Sequence, residues 1–307
     1  RQLVAWQGDT AVRQLLEQNF PDKNLRRRSC GYAIDECVAG TDGSYPVGQP
    51  DIVALVAGSE GTLAFLTEIT LSLDPLPAKE QMVVCAHLSD LDLSWQTNLI
   101  ALRHQPVAVE LMDGKILELG KGNPDAERNR FFVQGDPAAI VIAEFRAETV
   151  DEMESKATAF EQELGDMAYA CTRVYGNDVA RVWNLRKAGL GVLSGMKGDA
   201  KPIGVIEDTA VAPERMADYM HDFRQMLREI GLSCVYYGHI STGELHLRPI
   251  INIKTADGKR LFREVAERTA LLVRKHKGSL SGEHGDGRLR GEFIPLMYGK
   301  EVYDMMC

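Results

Sequence analysis

A chain of 307 residues with 45% hydrophobic and 26% charged side chains has the make-up of an ordinary globular protein, and its length fits two domains or one large one. A formal charge of -9 argues against a nucleic-acid backbone as the main partner, because phosphate binding wants clustered Lys and Arg. An anionic substrate would therefore need a local cationic pocket.

The six cysteines, Cys30, Cys37, Cys85, Cys171, Cys234 and Cys307, show no C-x-x-C spacing. That argues against a zinc ribbon or an iron–sulfur site built from them and for reduced, intracellular thiols. No apolar run approaches the roughly 18 residues needed to span a bilayer, and no signal peptide opens the chain. A cytoplasmic or membrane-peripheral location is the expectation. The chain starts at Arg1 without a Met and stops at Cys307 within a helical pattern, so a piece of a longer protein is expected.

In chain order, "DTAVRQLLEQNF" predicts a helix, and "KNLRRRSCGY" leads into a glycine-rich loop near "AGTDGSYPVGQP". "DIVALVAGSEGTLAFLTEITLSL" reads as two β-rich runs around a Gly-Ser-Glu-Gly-Thr turn, and the prolines of "DPLPAKE" place a domain boundary near 78. Beyond it, strands at "QMVVCAHL", "AVELMD", "AAIVIAEFRA" and "AYACTRVY" alternate with helices at about 89–103, at "VDEMESKATAFEQEL" and from "NDVARVWNLRKAGL"; "GKGNPDAERNR" reads as loop. A strand at "IGVIEDTAV", a helix from "APERMADYMHDFRQMLREI", two strands around a pair of histidines and the helix "GKRLFREVAERTALLVRKH" complete the pattern. The predicted fold class is α+β: a largely antiparallel sheet flanked by helices packed on one of its faces, spanning 79–307, beside a smaller α+β segment, 1–78.

"GHISTGELH" carries chemistry. If its two strands meet at a two-residue turn, Thr242-Gly243, then Ser241 faces Glu244, Ile240 faces Leu245, and His239 faces His246. Directly opposed Cβ atoms lie about 4.5–5.5 Å apart, which suits two imidazoles on one metal ion. The alternative is a pair of ordinary sheet histidines joined by a hydrogen bond. A second polar cluster, "SLSGEHGDGRLRG", sets Glu283 and His284 among glycines. Glu283 is the natural third ligand, leaving one position open for substrate; His284, pointing the other way if the backbone is extended, suits a general base. A fourth ligand or an outer-shell partner are the other roles open to His284. A third cluster holds Arg186, Lys187, Lys197 and Lys201. Arg186 sits among apolar helix positions and could clamp a carboxylate, or it could lie on a solvated face as Lys187 does.

The stretches "GSEGTLAFLTEITLSLDPLP", "VELMD", "VWNLRKAGLG", "EDTAVAPE", "YGHISTGELHLRP" and "SGEHGDGRLRGEF" together resemble the C-terminal half of the FAD-linked 2-hydroxy-acid dehydrogenases of the vanillyl-alcohol-oxidase superfamily. That group contains D-lactate dehydrogenase, the glycolate oxidase flavin subunit and D-2-hydroxyglutarate dehydrogenase. The wording is most similar to long bacterial members that carry an iron–sulfur domain after the flavin part. The resemblance implies that His239, His246 and Glu283 bind zinc or manganese, that His284 is the base near the flavin, and that Arg186 holds the substrate carboxylate. It places Gly58, Ser59, Glu60, Gly61 and Thr62 where a turn approaches FAD, and assigns 1–78 to the remnant of an FAD-binding domain. The glycine-rich segment that cradles the FAD pyrophosphate in this family is not among these residues, so an inactive piece is expected. Ile206 also stands where some members carry a lysine two residues before the position of Asp208, and Lys201 replaces that lysine only if its loop folds back.

The implied reaction oxidises a D-2-hydroxy acid to the 2-oxo acid, with the metal at the hydroxyl oxygen, His284 taking its proton and hydride passing to flavin. D-2-hydroxyglutarate needs a second carboxylate partner, for which Lys197, Lys201 and Arg248 are candidates; D-lactate needs none. Two rivals stand beside it: a metal-dependent hydrolase using the same His-His-Glu set, which leaves "GSEGTLAFLTE" unexplained, and a non-catalytic scaffold. The electron acceptor stays open, as do a respiratory-chain link and a homo-oligomer.

Overall fold

A computed structural model describes residues 1–39 and 48–307. Most of the glycine-rich loop expected near "AGTDGSYPVGQP" lies outside the described residues. The chain forms two compact units: Arg1–Leu73 with Val205–Ala212 and Arg263–Cys307, and Asp74–Gly204 with Pro213–Phe262.

The strands are β1 (Glu80–Leu88), β2 (Ala108–Asp113), β3 (Ala139–Ala147), β4 (Ala170–Tyr175), β5 (Lys201–Pro202), β6 (Ile206–Ala210), β7 (Cys234–Gly238) and β8 (Glu244–Ile251). All but β6 belong to the second unit, where they run in the order β4-β1-β3-β2-β7-β8-β5 with antiparallel neighbours. Helices cover both faces of this sheet rather than one. Val83, Cys85, Ile140, Ile142 and Met112 pack with Leu117, Val179, Val182 and Leu185 from the helices Gly114–Leu119 and Asn177–Ser194. On the opposite parity Phe145 meets Phe160 of the helix Val150–Leu164 at 5.8 Å between ring centroids. Burial on both faces explains why β1 and β3 read as almost continuous apolar runs, a pattern more usual in parallel sheets.

Local signals set the helix ends. Val150–Leu164 starts at Thr149, whose hydroxyl accepts from the Glu152 N–H at 3.3 Å, and stops at Gly165, whose φ of 53° suits glycine. The stretch read as loop after β2 instead holds two short helices, Gly114–Leu119 and Pro124–Asn129, capped by the side chains of Asp113 and Asn123.

In the first unit "DIVALVA" forms a helix, Ile52–Ala57, capped by Asp51, and not a strand. Residues 58–73 make no described ladder either, and Phe65 and Leu73 are 92% and 88% exposed. The apolar alternation of this stretch is real, but a strand needs a hydrogen-bonding neighbour, and here none is paired with it among the described residues. The helices Thr10–Asn19, Ala256–Lys275 and Ile294–Met306 bear out the helical patterns read at those positions.

The histidine hairpin differs in register. Tyr237 pairs with His246 and Tyr236 with Leu247, two residues away from the pairing a Thr242-Gly243 turn requires. The connection is longer, a 3-10 turn at Ile240–Thr242 closed by Gly243 in the left-handed region at φ 78°. A slip of two keeps every side chain on its face, so His239 and His246 remain neighbours although they are not cross-strand partners. Gly238 makes the slip possible: a Cβ there would stand 2.4 Å from the Glu244 carbonyl oxygen and 2.8 Å from Leu245 Cα. Gly238→Ala is expected to lower stability by about 1–3 kcal/mol, the range for overpacking a tight site, as read by thermal unfolding.

Candidate metal centre and active site

The turn carrying His239 is held from below. The buried amide of Asn98, on the helix Leu93–Arg103, donates to the Ile240 carbonyl at 2.8 Å, and the Thr242 hydroxyl donates to the His239 carbonyl at 3.0 Å. This fixes two imidazoles, with His246 5% exposed and ring centroids 5.3 Å apart at 82°. Glu244, fully buried, brings its carboxylate to the same side, 3.8 Å from His246 Nε2. One ligand atom from each of His239, Glu244 and His246 lies within 4.8 Å of the others. Two imidazoles and a carboxylate are donors suited to zinc or manganese, so the residues present fit a divalent metal. Glu244 was not singled out as a ligand in the sequence, although its spacing of two from His246 already put both on one face.

Glu110, the acidic residue of "VELMD", is the other residue the motif reading passed over. His239 Nδ1 lies 2.6 Å from its Oε1, while Arg186 donates from Nε to Oε2 at 3.1 Å and brings its Nη2 to 2.9 Å. The Arg186 guanidinium also stands 5.0 Å from the Tyr237 ring centroid, and that ring lies 4.8 Å from the His246 ring. Arg186 is thus brought beside the histidines, with its charge balanced by Glu110. Asp113, at the end of the same strand, accepts from the N–H groups of Lys115 at 2.7 Å and Tyr236 at 3.1 Å, which ties β2 to β7. Burial raises its pKa.

The three other basic candidates separate. Arg248 donates to the Tyr237 hydroxyl at 2.8 Å, on the same side of the sheet as Arg186 and the histidines. Lys201 donates to the Met196 carbonyl, and Lys197 is exposed, as is Lys187.

In the first unit Asp208 organises the loop holding Glu283 and His284. Asp208 is fully buried with φ 79°, a left-handed conformation unusual for a residue with a Cβ. Its carboxylate accepts the Ser281 hydroxyl at 2.8 Å and the N–H groups of Glu283 and His284, each at 2.9 Å. Arg290 lies behind, 3.6 Å from the same carboxylate. The Glu283 side chain forms an ion pair with Arg27, and His284 Nε2 lies 3.6 Å from Glu283 Oε1. The His284 side chain is 45% exposed, so its imidazole is presented rather than packed.

Gly58, Ser59, Glu60, Gly61 and Thr62 form a tight turn in which the Thr62 N–H donates to the Ser59 carbonyl at 2.9 Å. Positive φ at Glu60 and Gly61, 51° and 73°, is the signature of a mirror-image turn. The Glu60 carboxylate accepts from the N–H groups of Asp286 at 2.7 Å and Gly287 at 3.0 Å, gripping the loop just after His284.

All six cysteines are free. Burial raises the pKa values of Cys30, Cys85 and Cys234, as it does that of Cys171, to about 11, which keeps these thiols protonated and unreactive. Among the described residues, the metal-competent group at His239, Glu244 and His246 includes no cysteine, and no helix is long and apolar enough to cross a membrane.

Residues 78–307 match the family model described as "FAD linked oxidases, C-terminal domain". The chain belongs to that family. It is 31% identical over 310 residues to the D-2-hydroxyglutarate dehydrogenase of Escherichia coli, and 29% identical over 306 residues to that of Pantoea ananatis. Each alignment covers 95% of this chain but only 29% of the relative, so the chain spans less than a third of the length of these proteins. Among solved structures, 4-ethylphenol oxidase from Gulosibacter chungangensis in its isoeugenol complex superposes with a TM-score of 0.51 at 8% identity, covering 75% of this chain and 52% of that one. That likeness supports the α+β fold of an FAD-linked oxidase C-terminal domain.

Proposed function

We propose that this chain is the substrate- and metal-binding part of an FAD-dependent dehydrogenase that oxidises a D-2-hydroxy acid, with D-2-hydroxyglutarate the favoured substrate. The observation that carries the reading is the grouping of His239, Glu244 and His246 with Arg186 in a chain whose family is FAD-linked oxidases. The names of its relatives supply the substrate.

His239, Glu244 and His246 would hold a divalent zinc or manganese ion. When bound, the metal supplies a Lewis acid that lowers the pKa of the substrate hydroxyl, and FAD supplies the hydride acceptor. Arg186 binds the C1 carboxylate with the guanidinium N–H groups that Glu110 leaves uncommitted, since the fork offers five donors. Arg248, on the same side of the sheet, holds the distal carboxylate of a dicarboxylic substrate. Of the three residues proposed for that task, it is the one whose surroundings support it; Lys201 serves its own loop. His284 Nε2 takes the hydroxyl proton, and the Asp208 carboxylate steadies the backbone from which His284 projects. The Gly58–Thr62 turn serves the flavin side.

The test is metal analysis of the purified chain and a flavin absorption spectrum of a protein that joins it to an FAD-binding domain, followed by turnover of D-2-hydroxyglutarate, D-lactate and glycolate by that flavoprotein with an artificial electron acceptor. Flavin-dependent turnover with D-2-hydroxyglutarate favoured is the expected outcome. Flavin-independent hydrolysis, or turnover unchanged by loss of flavin, would overturn the reading.

A further inference from the structure

We infer that Glu110 is a positioning residue that couples the carboxylate-binding arginine to the metal ligands, so that Arg186 and His239 are set as one unit. The inference rests on the proposed metal site and goes beyond it, because Glu110 belongs to neither the ligand set nor the substrate clamp.

The geometry forms a closed ring of contacts within one unit. Glu110 Oε1 takes His239 Nδ1 at 2.6 Å, and Oε2 takes Arg186 at 2.9 Å from Nη2 and 3.1 Å from Nε. Arg186 lies over Tyr237 at 5.0 Å, Tyr237 against His246 at 4.8 Å, and His246 against His239 at 5.3 Å. Each carboxylate oxygen therefore serves a different residue, and the two are 76 and 129 positions away in the chain. The Glu110 side chain is 10% exposed and that of Arg186 12%, so little water competes for either contact.

Two physical consequences follow. Donation from His239 Nδ1–H to a carboxylate leaves the Nε2 lone pair for a metal and orients the ring. Partial neutralisation of Arg186 by the other oxygen aims the guanidinium without cancelling its remaining donors, because the fork is rigid. A carboxylate one methylene shorter could not reach both partners, and an amide could not accept from both. An outer-shell carboxylate of this kind changes metal affinity by about 10–100-fold.

The experiment is a zinc titration of the purified protein against a competing chelator, for wild type, Glu110→Gln and Glu110→Asp, with thermal unfolding of each metal-free form alongside. The expected result is a loss of zinc affinity of about 10–100-fold in Glu110→Gln. Glu110→Asp, which keeps the charge but shortens the reach, should also bind more weakly than wild type. The unfolding temperature of the metal-free Asp variant should stay close to that of wild type, which a merely structural role would not allow together with weakened binding. If Glu110→Gln fails to fold, Glu110→Asp decides: wild-type zinc affinity there overturns the inference. Wild-type affinity in a folded Glu110→Gln overturns it while leaving the metal site standing. A wild-type protein that binds no zinc overturns both the inference and the metal reading beneath it.

Discussion

Replacing His284 with alanine should lower kcat for D-2-hydroxy-acid oxidation by about 10²–10⁴-fold, the usual range for loss of a positioned general base. The substitution is conservative for the fold, because what anchors this residue is its backbone N–H on Asp208 at 2.9 Å, and alanine keeps that bond. The imidazole itself is 45% exposed and contributes little packing. Metal content and flavin absorbance should therefore match wild type while turnover falls. Steady-state kinetics with an artificial electron acceptor, normalised to bound flavin, give the answer; turnover within about twofold of wild type removes His284 from the proposed chemistry.

The second large effect is expected at His246. His246→Ala removes a nearly buried imidazole beside Glu244, so zinc affinity should fall by at least about 100-fold, beyond the span for an outer-shell partner. His104→Ala, whose imidazole pairs with Glu163 at 2.7 Å instead, should bind zinc like wild type. A competition titration compares the three proteins, and equal affinity for wild type and His246→Ala would contradict the assignment. Loss of activity without loss of metal would point to a substrate contact instead.

What could be read in the sequence follows from how far apart the cooperating residues lie. Thr149 and Gly165 bracket one helix and speak to it directly, so Val150–Leu164 was legible to the residue. The same holds for "AVELMD", the observed β2. The nearness of His239 and His246 was legible because alternation along a strand survives a slip of two. The register itself was not, since it depends on the approach of β8 to Gly238 and on an amide 142 residues away, Asn98.

Glu110 and Asp208 were hidden for a related reason. Each is an acid in a short strand, beside Asp113 in β2 and Glu207 in β6, and its meaning appears only when distant chain arrives: Arg186 and His239 for the first, Ser281, Glu283 and His284 for the second. Residues 58–73 failed in the opposite sense. Their alternation is strand-like, but sequence pattern reports which faces a strand would have and says nothing of whether a neighbour is there to pair with it. The second layer of helices over the sheet was missed because a doubly covered antiparallel strand and a singly covered one differ only in how few polar residues interrupt them.

The proposal that metal and 2-hydroxy-acid oxidation belong together is tested most directly by anaerobic mixing of the flavin-loaded enzyme, this chain joined to an FAD-binding domain, with D-2-hydroxyglutarate, following the flavin absorbance. Three samples decide it: metal-loaded, chelator-stripped, and stripped protein given back zinc or manganese. The account predicts bleaching in the first and third and bleaching at least about 100-fold slower in the second, in keeping with several kcal/mol of charge stabilisation from a bound cation. Bleaching at the same rate in all three would contradict it.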